Sequence, residues 1–130
     1  MIAVILASDS LERLYTGLSL LVGAAAEGEE ARGLATFGAL ALLLDPELEA
    51  RALAPEATPS VSAGGRAVFA RSLAELRDTA AALEGCRVWA CAAAVETTGA
   101  DRAAVEARLD GVRSTPRFLR ETAGARLVVA

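Results

Sequence analysis

Hydrophobic positions along this chain switch repeatedly between two patterns, an unbroken apolar run and an apolar stripe repeating at helical spacing. Ile2–Ala7 is continuous and ends in Ser8-Asp9-Ser10, which reads as a first buried strand and its exit turn. Leu11, Leu14, Tyr15, Leu18, Leu21, Val22 and Ala25 then fall on one helical face, with Gly28 as the stop. Asp9 followed by Glu12 fits a capping box at the start of that helix, although Asp9 also stands where a substrate above the strand end would be met.

Ala31–Phe37 predicts a second strand, Gly38 opens a helical segment Ala39–Leu44, and Asp45-Pro46 ends it. One or two further turns are predicted over Glu47–Ala54. Residues 55–66, with Pro55, Pro59 and Gly64-Gly65, read as a flexible loop. Phe69, Leu73, Leu76, Ala80 and Leu83 restore the helical period, and Gly85 is the expected cap. Cys86–Cys91 follows as the most strand-like stretch of the second half. Asp101 starts a short helix through about Leu109, Gly111–Arg113 is a brief strand, and Ser114 or Thr115 caps a helix with Pro116 in its first turn. Arg126–Val129 is the fifth strand.

Alternating strands and helices predict an α/β fold, a three-layer α/β/α sandwich with a mostly parallel five-stranded sheet. At 130 residues, the chain is expected to form a single domain over 1–130. The longest apolar stretches, Leu40–Leu44 and Val88–Val95, fall far short of the about 18 residues a membrane span needs. Met1 leads directly into strand-like residues with no basic leader, so the expected location is the cytoplasm and no membrane partner is implied.

Composition narrows the chemistry. Apolar residues are 54% but aromatics only 4%, so the core must be built from alanine, leucine and valine. So high an apolar share predicts surface covered by further copies, a homo-oligomer. The net charge is −4 and the arginines are scattered, which argues against a nucleic-acid partner. There is no histidine and no lysine, which removes Ser-His and Cys-His pairs, His-ligated metals, phosphate loops of the Walker type and Schiff-base lysines. Two cysteines make no Cys₄ zinc site, and no dinucleotide fingerprint follows the first strand, so no metal or cofactor is implied. Cysteine or carboxylate chemistry remains.

The two cysteines stand five positions apart, roughly 16 Å in an extended strand at about 3.3 Å per residue, and face opposite sides of the sheet. A disulfide between them is excluded by that geometry. Cys86, at the strand's start, reads as packing. Cys91 stands at the exit, where open α/β sheets gather their ligands, and Ala92-Ala93-Ala94 leave room above it. Glu96 and Asp101 are the acids nearby.

These motifs resemble the DsrE/DsrF-like family of small α/β sulfur-relay proteins over nearly the whole chain. The resemblance rests on the first strand with Ser8–Tyr15, on Thr36-Phe37-Gly38, and most specifically on Val88-Trp89-Ala90-Cys91-Ala92 followed by Thr98-Gly99-Ala100-Asp101. It implies that Cys91 carries sulfane sulfur as a persulfide between donor and acceptor proteins, and that the chain forms trimers or hexamers. Ser8, Asp9, Thr36, Phe37, Ala92 and Glu96 are the expected binding residues around it. The chain departs from the family in Ala92–Ala94, where serine or methionine is common, and in lacking a C-terminal cysteine arm. Two rival readings stand beside sulfurtransferase chemistry: a peroxiredoxin-like thiol peroxidase using Cys91, and a non-enzymatic oligomeric module binding a small ligand or partner.

Overall fold

The computed structural model describes residues 1–130. Five strands, β1 (Ile2–Leu6), β2 (Ala31–Ala35), β3 (Cys86–Cys91), β4 (Val112–Arg113) and β5 (Arg126–Val129), form one all-parallel sheet in the order β4-β3-β2-β1-β5. Seven α-helices connect them: α1 (Leu11–Ala26), α2 (Phe37–Leu44), α3 (Leu48–Arg51), α4 (Arg66–Ala82), α5 (Ala92–Thr98), α6 (Arg102–Arg108) and α7 (Thr115–Glu121). The α/β/α sandwich expected from the alternation is the observed fold.

Strand order dictates which helices share a face. From β1 to β4 the chain steps always in one direction across the sheet, so right-handed crossovers put α1, α4 and α6 on one side. The return from β4 to β5 runs the other way and puts α7 on the opposite side. Contacts agree: a Cβ on Gly17 of α1 would overlap Leu6 Cδ2, and one on Gly33 of β2 would lie 3.0 Å from Leu21 Cδ1 and 3.3 Å from Val88 Cγ2. On the other face Phe118 of α7 meets Trp89 edge-on, ring centroids 6.3 Å apart. Thirty buried residues form one core in which Trp89 and Phe118 are the sole aromatics. The alanine-rich composition therefore lets helices lie close to the sheet, and one aromatic pair fills the thinner layer.

The layers are unequal. α7 is only seven residues long, and beyond it the second face is open, with Val129 63%, Leu127 52% and Leu119 44% exposed. No helix is long and apolar enough to cross a membrane.

Local signals explain most boundaries. Ser114 Oγ accepts from Arg117 N–H at 3.2 Å with Pro116 in the first turn, and Asp101 Oδ1 accepts from Ala103 N–H at 3.0 Å. At α1 the cap is Ser10, whose Oγ accepts from Arg13 N–H at 3.3 Å, and not the expected Asp9. Glu12 reaches away from the helix to accept from Ser60 N–H at 2.8 Å. Residues 55–65 contain two 3₁₀ turns, Pro55–Ala57 and Ala63–Gly65. Between them Thr58 is buried, donating to Ala54 O at 3.1 Å and accepting from Arg66 Nε at 3.0 Å.

Candidate functional site

Adjacent parallel strands β1, β2 and β3 bring their carboxyl ends to one edge of the sheet. That edge carries Ser8 and Asp9, then Thr36 and Phe37, then Cys91 and Ala92. Cys91 is the last residue of β3 and the N-cap of α5, and it is 4% exposed. Its Sγ lies 3.9 Å from Thr115 Oγ1, at the first residue of α7. Across the sheet Cys91 registers with Arg113, whose guanidinium sits 4.9 Å from the centre of the Trp89 ring. Glu121 fixes that arginine, its carboxylate lying 3.2 Å from Arg113 Nε and 2.7 Å from Arg117 Nε. The Arg117 hydrogen bond, with Arg113 adding to it, holds the Glu121 carboxyl below its usual range.

The other expected residues divide by task. Thr36 caps β2 structurally: its hydroxyl donates to Leu6 O at 3.1 Å, beside its own N–H to the same oxygen at 3.0 Å. Ser8 Oγ is occupied by Ser10 N–H at 3.0 Å, closing the exit turn of β1. Both hydroxyls thus build the edge. Phe37 belongs to α2, not to the second strand predicted over Ala31–Phe37, which ends at Ala35. It holds φ at +39° and is 51% exposed, a strained conformation for a side chain of this size. Asp9 is exposed and makes no side-chain hydrogen bond; with Gly38, Leu42, Arg51 and Glu56 it lines a basin of about 590 Å³. Glu96 is exposed on α5 and unpaired. Ala92 is half-buried beneath it.

Asp9 and Cys91 therefore share the edge but not a cavity. Asp9 follows β1 and Cys91 ends β3, strands two spacings or roughly 10 Å apart. The structure groups Asp9 with α2 and the 55–59 turn, and groups Cys91 with Thr115 and Arg113. Thr115 was not foreseen as a partner, because its proximity depends on β4 lying beside β3.

Both cysteines are free thiols. Cys86 faces α1 and α4, is 2% exposed, and burial followed by the Asp110 charge pushes its thiol from the ordinary 9.0 up to about 11. A group whose folded pKa is raised gives stability that is complete below its unfolded pKa and is lost as pH climbs through the folded one. Unfolding free energy is thus expected to fall between about pH 9 and pH 11. With no lysine in the chain, a denaturant series on Cys86→Ala should flatten this decline; an unchanged decline would assign it elsewhere.

No protein-family model matches this chain, and no curated protein does.

Proposed function

We propose that this chain is a sulfur-carrying protein of the DsrE/DsrF-like kind, working in the cytoplasm with Cys91 as the carrier. The Cys91 thiolate attacks the outer sulfur of a donor persulfide, forming a new S–S bond. The donor's S–S bond breaks, and its thiolate leaves with the electron pair. Attack by an acceptor thiolate on that outer sulfur reverses the sequence and returns Cys91 as thiolate. No external oxidant or reductant is needed, and rates follow thiolate fraction, nucleophilicity and access.

The observation that carries this reading is the position of Cys91 at the carboxyl edge of a central strand, with the hydroxyl of Thr115 as its single hydrogen-bonding neighbour. Cys91 is only 4% exposed, so its reaction requires a local opening, which this reading places at the first turn of α7, whose Thr115 Oγ1 lies 3.9 Å from the sulfur. Cys86 lies on the other face of β3 and cannot resolve a Cys91 sulfenic acid within the chain, which disfavours the peroxidase reading.

The chain is also proposed to assemble with itself through the open face around Leu127 and Val129, beside the unpaired edge of β5. Native mass spectrometry before and after polysulfide treatment tests both parts. Expected are an oligomer and a gain of one sulfur atom per chain, lost in Cys91→Ser and kept in Cys86→Ser. A wild-type chain that takes up no sulfur would defeat the carrier reading. That result would favour a binding module built on the basin beside Asp9.

A further inference from the structure

On the face opposite Cys91, α4 and the end of α6 stand apart over β3 and leave a cavity of about 400 Å³. Its floor is apolar: Leu18 of α1, Leu43 of α2, Val88 of β3 and Leu109. Four charged side chains form its wall, and three of them are committed. Arg77 donates to Asp45 O at 2.7 Å and pairs with Asp78 at 3.3 Å. Asp110 accepts from Val88 N–H at 2.8 Å and pairs with Arg87 at 3.4 Å. The fourth, Arg108, is half-buried and has neither an ion pair nor a hydrogen bond.

We propose that this cavity binds a small amphipathic carboxylate, its hydrocarbon body on Leu18, Leu43, Val88 and Leu109 and its carboxylate on Arg108. The volume suits a medium-length chain or a single aromatic ring. The charge balance selects the head group. Asp78 is paired with Arg77 and Asp110 with Arg87 from outside the cavity, so Arg108 is the one charged side chain of the wall left without a partner, and a cationic ligand would leave it facing like charge. One planar guanidinium fork matches one carboxylate in two parallel hydrogen bonds. This site goes beyond the sulfur-carrier reading and does not depend on it, because the sheet separates it from Cys91.

The test is a titration of the intact protein with octanoate, followed by amide NMR. Shifts are expected to concentrate at Ala80, Val88 and Leu109, with Kd in the range of about 0.1–1 mM. Affinity should rise about fourfold per methylene from hexanoate to octanoate, and octylamine should bind at least about tenfold more weakly. Arg108→Gln, which disturbs no bond within the protein, should weaken octanoate about tenfold. Ala81→Trp, on the exposed rim, should block it, and Cys91→Ser should bind as wild type does. Equal binding of octylamine, an unaffected Arg108→Gln, or shifts scattered away from β3 would each overturn the proposal.

Discussion

Phe118→Ala is expected to lower the unfolding free energy by about 3–5 kcal/mol, the largest loss from any single side chain on the thin face of the sheet. Phe118 is fully buried, and α7 is the only helix on that face. Its ring fills the space against Trp89, and no other aromatic residue lies close enough to collapse into the hole. Trp89, the ring it packs against, is held in β3, so relaxation is small and the cavity term stays large. Urea denaturation followed by Trp89 fluorescence reads the effect directly, since Trp89 is the only tryptophan. Phe118→Leu should lose only about 1–1.5 kcal/mol. Domain stabilities run about 5–15 kcal/mol, so the alanine variant is expected to be partly unfolded at 37 °C.

The same variant reports on Cys91. Phe118 anchors α7, and the first residue of α7 is Thr115, the neighbour of the Cys91 sulfur. Under conditions where Phe118→Ala remains folded, alkylation of Cys91 should be faster than in the wild type, while Cys86 stays protected by α1 and α4. A loss below about 1 kcal/mol with unchanged alkylation would mean that α7 is not what holds this face closed.

How the sequence specified these features differs from one to the next. β3 and the position of Cys91 at its exit were legible, because Gly85, an apolar run and a trio of alanines leave little else that stretch can be. The caps at Asp101 and Ser114 were legible for the same local reason. Ser10 displaced Asp9 as the α1 cap because both residue types cap well and the choice turns on a single residue of register, settled here by Ser8 closing the preceding turn on Ser10 N–H. The sequence places Phe37 at the end of the second strand, Ala31–Phe37. The backbone instead turns at Thr36, whose N–H and hydroxyl both bind Leu6 O, and places Phe37 at φ +39°. Long-range placement overrode local preference.

Strand order was not legible, since several orders satisfy right-handed crossovers. With it went every relation between distant segments: Thr115 beside Cys91, Arg113 over Trp89, and the cavity in which Arg77 and Arg108 face each other across thirty-one positions. Charged residues scattered along the chain carry no mark of which one will be left without a partner. Only the assembled cavity shows that, of the four charged side chains in its wall, the one is Arg108.

Gly38→Ala should be the second large loss, about 2–3 kcal/mol, although the change is a single methyl group. A Cβ at position 38 would lie 2.6 Å from Asp9 Cβ, 3.1 Å from its Cα and 3.3 Å from its N. Two of those three atoms are backbone and cannot rotate away. Nor can the segment shift easily, since Ser8 closes the turn before it and Leu6 O is bound twice by Thr36. The methyl group must therefore push α2 off the exit of β1, widening the basin that Asp9 and Gly38 line. A double-mutant cycle isolates the cause. Asp9→Gly removes the Cβ at 2.6 Å but leaves the Cα at 3.1 Å, so Asp9→Gly/Gly38→Ala should recover about 1–1.5 kcal/mol relative to additive losses. Strict additivity in urea denaturation would show that the two residues do not meet and that the carboxyl edge is held together elsewhere.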